Sequence, residues 1–427
     1  MSARIERLVV CGALALATVG CAPTRPAAPH ATLGLMLPPS ERPFWEPIAR
    51  SFERAHPGCR IDLIEGAQST DLRENLYTAS LLARDPTFDL VYMDVVWTAK
   101  FAAAGWLLAL DDRLTREERA SFLPAALAAG EFGDSLYRVP VRTDIGLLYY
   151  RRDLLQRAGL PPPQTFAELV HAAQVLQAPP TVWGFVWQGQ QYEGLVCDYL
   201  EVLRGHGGFW VDPATLEVGL DRPEALAAIS FLVRCVRERP ISPPGVTTYQ
   251  EEESRRLFQD GRAVFLRNWP YVWQLAQAAD SPVRGRIGVL PMVRASGGSP
   301  AGTLGGWGLG ISTFSRHPDL AVEFIRAATS LEAQRILCGP TGYAPARKEA
   351  YRDPELLAAN PLLPELERLH ANAVARPAIG RYALASDILQ RHLSAVLTGS
   401  TEPGRAMRAA AEETRAMLGA RTARRTP

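Results

Sequence analysis

The sequence has almost no net charge: its 46 Lys and Arg residues against 45 Asp and Glu leave +1 at pH 7. No broad basic field exists to hold a nucleic-acid backbone, and there is no acidic tail, so a nucleic-acid partner is not expected. Cysteine is scarce. Of six in all, the four beyond the leader region are Cys59, Cys197, Cys235 and Cys338, and no pair has CxxC spacing. That argues against a metal cluster or a thioredoxin-type redox site, while one disulfide and a set of buried free thiols both remain compatible with the spacing. The seven histidines show no ligand spacing, so no metal is expected. The chain has no GxSxG, no HExxH and no P-loop, and the glycines of GGWGLG do not match GxGxxG, so no cofactor is expected. After the first twenty residues there is no apolar run long enough to cross a membrane.

What is present reads as a globular chain. At 427 residues, 47% hydrophobic and 21% charged, it is long enough for two lobes, each with its own core. Residues 1–20 read as a signal peptide, because Arg4 and Arg7 precede LVVCGALALATVG, which is too short to span a bilayer and ends in a small residue before Cys21. TVGC resembles a lipobox, in which cleavage before the cysteine exposes it for acylation; Thr18 stands where leucine is usual, and ordinary cleavage nearby is the alternative. The following Pro- and Ala-rich APTRPAAPHA has no periodicity, so 21–31 reads as a lipidated tether, placing the protein in the periplasm or at the cell surface on a membrane anchor.

From Leu33 the chain alternates short apolar runs with helical periodicity. LGLMLP predicts a strand, FWEPIARSFERAHPG an amphipathic helix stopped by Pro57 and Gly58, CRIDLIEG a second strand, LRENLYTASLLAR a helix and FDLVYMD a third strand. This is βαβ grammar, an α/β lobe with a largely parallel sheet. SLYRVPVRTDIGLLYYRRDLL reads as a strand leaving one lobe for another, Thr165 to about Val283 is mainly helical, RIGVLPM through GGWGLGIS returns to β/α pattern, and the last third is helical. The predicted division is 32–141 with 286–330 in an N-terminal lobe and 142–285 with 331–427 in a C-terminal lobe. Repeated crossings between lobes make a hinge.

Aromatic and carboxylate residues recur at predicted strand ends: Asp94 after LVYM, Asp144 after VPVRT, Tyr192 and Glu193 after VWQGQ, Trp269 and Tyr271 around Pro270, and Trp307 among glycines. Strand ends of α/β sheets are where ligands bind. The set suits a polyhydroxylated ligand, whose C–H face lies on an indole or phenol while carboxylates accept its hydroxyl protons and Asn, Gln or Arg donate. Blander readings stand beside these. Asp94 would equally cap the following helix, one ring of RNWPYVW is expected to pack inward, and Arg376 in ARPAIGRY reads as well as a plain surface charge.

The ordered succession of FDLVYMDVVWTAKFAAAGWLLALDD, VPVRTDIGLLYYRRDLL, FVWQGQQYEGLVCDYLEVL, GRAVFLRNWPYVW, GGWGLGIS and TGYAPARKEAY resembles the substrate-binding lipoproteins of bacterial ABC sugar importers. It is similar in particular to the trehalose/maltose-binding branch, which includes glucosylglycerol and sucrose binders. The resemblance implies a periplasmic-binding-protein type II fold, two α/β lobes joined by a hinge with a ligand cleft between them, in a monomer that delivers its sugar to the importer's permease. By position it makes Glu41, Asp94 and Asp144 hydroxyl acceptors, Trp269, Tyr271 and Trp307 stacking platforms, Gly306 a point of close backbone approach and Arg376 a donor. Arg142, where relatives carry an aromatic, and Ser69 and Thr70 depart from the pattern and leave the sugar's identity open. Two other functions use similar side chains: a secreted glycoside hydrolase needs a pair of carboxylates, and a same-fold polyamine receptor needs acids and rings around ammonium groups.

Overall fold

The computed structural model describes residues 31–419. The signal peptide expected at 1–20 and Cys21 lie outside the described residues, and of the tether expected at 21–31 only Ala31 falls within them, as the first residue of the opening strand.

That strand, Ala31–Leu37, buries Leu33 to Leu37 without interruption and pairs in parallel with Cys59–Glu65 on one side and Leu90–Asp94 on the other. A continuous apolar run suits a strand covered on both faces. The helix Arg42–Ala55 that links the first pair buries Trp45, Ile48, Ala49 and Phe52, an i, i+3, i+4, i+7 stripe. Two further long strands complete this sheet in antiparallel sense. Gly302–Ile311, buried along its whole length, lies between Leu90–Asp94 and Val139–Ile145. With Ala344–Pro345 beyond Val139–Ile145 and Ala373–Val374 against Gly302–Ile311, the sheet has seven strands.

The second sheet has four strands in the order Ile287–Leu290, Leu147–Arg151, Ala263–Asn268 and Trp183–Val186. Helices Phe166–Leu176, Glu193–Gly205 and Pro223–Val233 pack around it together with the C-terminal helices Tyr382–Leu397 and Pro403–Gly419. The two sheets anchor two hydrophobic cores, one built on Leu33, Leu35, Val91 and Leu309, the other on Phe185, Leu200, Ile229 and Leu389.

Element memberships differ from the predicted lobe boundaries at several points, among them Ala344–Pro345 and Ala373–Val374, which were expected in the C-terminal lobe and join the first sheet. Val139–Ile145 lies wholly in the first sheet, so the chain crosses at Gly146 and not at 141. Ile287–Leu290 pairs with Leu147–Arg151 in the second sheet, because its apolar residues register on Tyr149 and its neighbours. Leu331–Thr341, expected in the C-terminal lobe, packs on Arg42–Ala55 and Pro318–Ala328 of the first, where the Gln334 amide donates to the Val141 carbonyl (2.6 Å) and accepts from Ala346 N (2.7 Å). Its helical period was legible, but which lobe it serves depends on partners some 190 residues away in sequence.

A buried polar network closes around the crossing. The Arg267 guanidinium, fully buried, pairs with Glu201, Nε to Oε2 at 2.9 Å, and with Asp198 at 2.8 Å. Glu201 also accepts from Thr303 N at 3.0 Å, and Thr303 Oγ1 donates to the Cys197 carbonyl at 2.9 Å. Helix Glu193–Gly205 is thereby fastened to the start of the returning strand Gly302–Ile311. Burial holds the Asp198 carboxyl well above the usual range despite Arg267, since two acids share one guanidinium. Gly146 sits against this network: a Cβ there would lie 1.8 Å from Glu201 Oε1 and 2.5 Å from the Arg267 guanidinium. Gly146→Ala is therefore expected to lower unfolding free energy by about 2 kcal/mol or more in urea titrations, by forcing a buried ion pair apart. A stability within a few tenths of the unsubstituted chain would show that the crossing is not held by this packing.

Candidate ligand-binding cleft

The strand ends of both lobes face one cavity of about 780 Å³. Glu41, Asp94, Asp144, Trp269, Tyr271, Gly306, Trp307 and Arg376, the residues singled out from the sequence, all line it. Sheet register explains the convergence. Trp307 pairs across from Asp94 on one side and Arg142 on the other, and Gly305 lies across from Asp144. A register shift between Trp307 and Gly308 interrupts the ladder there, as bulges beside functional sites do. Gly306, at φ +131°, leaves only 2.6 Å between a hypothetical Cβ and the Arg142 carbonyl, so no other residue fits this strand pair.

RNWPYVW forms the facing wall. Strand Ala263–Asn268 ends where Pro270 removes a ladder donor, and helix Tyr271–Ala276 begins on it. Asn268 Oδ1 accepts from Trp269 N at 2.8 Å, and the Tyr149 hydroxyl donates to the carbonyls of Trp269 (2.9 Å) and Pro270 (3.2 Å). The Arg267 guanidinium lies 4.2 Å from the centre of the Trp269 ring. Trp269 Nε1 reaches Glu251 at 3.4 Å and the Tyr271 hydroxyl donates to Glu252 at 2.8 Å, so both partly exposed rings are held by their polar tips. Trp273 packs against the first core, and so does part of Tyr271.

On the opposite wall the carboxylates are already partnered. Glu41, 4% exposed, accepts from the Tyr92 hydroxyl (2.8 Å), Trp45 Nε1 (3.4 Å) and Arg142 (3.2 Å). Arg142 also pairs with Asp144 and lies 3.9 Å over the Tyr343 ring. Asp94 does not N-cap the helix Trp97–Ala103; its Oδ1 accepts from Val96 N (3.2 Å) in the turn before it and from Arg376 (3.0 Å). Arg376 is only 7% exposed, not a surface charge, and bridges the lobes by holding Glu193 at 2.7 Å as well. Ser386 Oγ (2.5 Å) and the Tyr382 hydroxyl donate to the same Glu193 carboxylate.

Trp307 departs from its expected place as an open platform. It is 7% exposed, with the Arg73 guanidinium 4.6 Å from its ring centre and Tyr92 (5.0 Å) and Trp97 (5.4 Å) beside it, so only a margin of the indole reaches the cavity. Arg73, Tyr343, Glu251 and Glu252 also line the cleft and were not singled out. Arg73 stands in an ordinary helical stretch, where nothing in the spacing separates an inward guanidinium from a solvated one. The flagged departures Arg142, Ser69 and Thr70 are lining residues too.

The described residues hold no group of His, Cys, Asp or Glu placed to bind a metal, and Cys59, Cys197, Cys235 and Cys338 are all free thiols. Among the described residues no helix is long and apolar enough to cross a membrane.

Two α/β lobes with a polar and aromatic cleft at their strand ends define a periplasmic-binding-protein fold, and comparison with solved structures agrees. Maltose-bound MalE3 of T. maritima superposes with a TM-score of 0.85 at 37% identity, over 91% of this chain and all (100%) of that one. Residues 38–335 match the model of the bacterial extracellular solute-binding proteins, and the chain belongs to that family. A probable ABC transporter-binding protein of Deinococcus radiodurans is 34% identical over 360 residues, 82% of this chain and 85% of its own length. A maltotriose-binding protein of Pyrococcus abyssi is 25% identical over 75% of this chain and 67% of its own. The family is one of solute receptors, so the chain is a binding component and not an enzyme.

Burial raises the Asp144 carboxyl to about 6, with Glu41 and Asp94 adding to the rise and Arg142 opposing it. Below that pH the folded protein binds a proton that the unfolded chain, ionising near its ordinary value of 3.8, has released. This group therefore favours folding at the acid end, and the contribution is lost as pH rises to about 6. A carboxyl resonance absent from Asp144→Asn is expected to titrate near 6 in carbon-detected NMR; a midpoint near 4 would show the site to be more solvated than its geometry indicates.

Proposed function

We propose that this protein is the substrate-binding component of an ABC importer for a neutral disaccharide or small glycoside of the trehalose, maltose, sucrose or glucosylglycerol type. It would hold the ligand between its lobes and deliver it unaltered to the permease. The observation that carries this reading is the pairing, in one cleft, of the partly exposed Trp269 and Tyr271 rings with an opposite wall of carboxylates held in place by the Arg142 and Arg376 guanidiniums. The names of MalE3 and of the Pyrococcus relative, both binders of maltose-series sugars, support it.

The roles follow from donor and acceptor counts. Asp144 gives one oxygen to Arg142 and keeps the other for ligand hydroxyls, a charge-assisted bond strengthened when closure excludes water. Glu41, occupied by three protein donors, holds Arg142 in place more than it contacts sugar. Arg376 with Asp94 and Glu193 joins the walls, so a ligand that adds contacts to both lobes favours the closed arrangement. Trp269 and Tyr271 offer stacking surface, and Trp307 contributes an edge. A polyamine is the rival reading, because Glu41 and Asp144 share Arg142 and Asp94 shares Arg376 with Glu193, which leaves each group one acid in excess.

Titration calorimetry against trehalose, maltose, sucrose, glucosylglycerol, maltotriose and spermidine tests the reading. At least one glycoside is expected to bind and to raise the melting midpoint; a response to spermidine alone would overturn it. Asp144→Ala is expected to weaken the glycoside by about 2 kcal/mol, roughly 30-fold, through loss of a charged acceptor in a dry cleft, and an unchanged affinity would remove Asp144 from the contact set.

We infer from TVGC that Cys21 carries lipid and anchors the mature chain at the membrane. Cys21→Ser is expected to move the protein from the membrane pellet to the soluble extracytoplasmic fraction, and a soluble unsubstituted protein would exclude the anchor.

A further inference from the structure

A second cavity, of about 530 Å³, opens on the second lobe and shares no lining residue with the cleft. Its floor is apolar, formed by Phe166, Val170 and Phe231. Its rim is basic: Arg234, Arg239, Arg294, His171 and His206 line it, and no carboxylate does. In a chain whose Arg and Lys are balanced by Asp and Glu, 46 against 45, such a one-signed rim is not expected from composition.

The rim is also unspent. Arg234 and Arg239 are exposed, and neither side chain makes a hydrogen bond or ion pair with another described residue. Arg294 donates to the Gly298 carbonyl at 2.8 Å and has no ion pair among the described residues. The nearby acid, Glu168, is committed to the helix start, where it accepts from Gln164 N (2.7 Å) and Thr165 N (3.1 Å). His206 stacks on Phe166 at 4.7 Å with 13° between the rings, and its Nε2 is buried without a partner. Burial and the charge of Arg234 keep this imidazole below its ordinary range. Backbone fixes the walls: Phe166 N donates to the Arg294 carbonyl (3.0 Å) and Ala295 N to the Gly205 carbonyl (2.9 Å). Arg234 opens a π-helical turn, Arg234–Glu238, a geometry that recurs at functional positions.

We propose that this groove is a second ligand site, one that takes a phosphate ester with an apolar or aromatic portion. The guanidiniums of Arg234, Arg239 and Arg294 surround the oxyanion, with His206 as a further donor, and the apolar portion lies on Phe166 and Phe231. Such a phosphate is carried by a soluble metabolite or by a lipid headgroup, and the chemistry recognised is the same.

The test uses the full chain carrying Cys21→Ser, so that no lipid anchor contributes to vesicle binding, with phenyl phosphate, inorganic phosphate and phenol as probes. Phenyl phosphate is expected to bind saturably by calorimetry, more tightly than inorganic phosphate, with phenol silent. The Arg234→Gln, Arg239→Gln double variant is expected to lose about tenfold or more of that affinity while its melting midpoint stays put. In the unsubstituted protein the His206 ring resonance is expected to shift on saturation and its midpoint to rise, a readout that does not depend on the variant folding. Co-sedimentation with phosphatidylglycerol vesicles but not phosphatidylcholine vesicles, lost in the double variant, assigns the lipid source; binding of phenyl phosphate without vesicle binding assigns the soluble one. No saturable binding of phenyl phosphate, binding undiminished in the double variant, or an unmoved His206 resonance overturns the proposal.

Discussion

The architecture rests on pairing carboxylates with buried guanidiniums, within each lobe and, through Arg376, between the two. Asp198 and Glu201 against Arg267, Glu41 and Asp144 against Arg142, and Asp94 and Glu193 against Arg376 form three such groups, each with two acids to one arginine. An ion taken out of water costs several kcal/mol unless an opposite charge and hydrogen bonds meet it, so removing either partner is worse than never having had the pair. The surplus acid in each group is tolerated because hydroxyls and backbone N–H groups share the load, as Tyr92 does for Glu41 and Ser386 for Glu193.

These groups differ in what they leave open. The Arg267 group is sealed and serves the crossing, where Gly146 gives it room. The Arg142 and Arg376 groups line the cleft, so they have oxygens and N–H groups on the cavity side. A wall of this kind, with one acid in excess in each group, is rich in hydrogen-bond acceptors, which matches a ligand that brings many hydroxyls and one apolar face. The Trp269 and Tyr271 rings supply the other half of that match, and Pro270 between them sets the turn that presents both.

Much of the first lobe's start could be read directly from residue order. LGLMLP, the Arg42–Ala55 stripe and LVYMD form the strands and helix their periodicities predict, because burial on both faces of a parallel strand and on one face of a helix leaves a pattern within a dozen residues. The strand-end rule likewise brought Asp94, Asp144, Trp269 and Tyr271 to one cavity, whereas Trp307, expected at a strand end, reaches it from the middle of Gly302–Ile311. The lobe boundaries were less legible. Ile287–Leu290 and Leu331–Thr341 have the right local form, but only their partners, Leu147–Arg151 and Arg42–Ala55, say which sheet or helix layer they join.

Local sequence thus determined the elements, their ends and the kinds of side chain that meet at strand termini, since periodicity, proline and glycine act over a few residues. Tertiary structure alone decided how those side chains are used. It enclosed Trp307 beneath Arg73, turned Arg376 from a nondescript basic residue into a bridge between lobes, and occupied Glu41 with three donors. Apart from the Trp45–Glu41 contact, four positions apart, those outcomes depend on contacts between residues from about fifty to almost three hundred positions apart, and on how much water is excluded when they meet, neither of which leaves a mark in neighbouring residues.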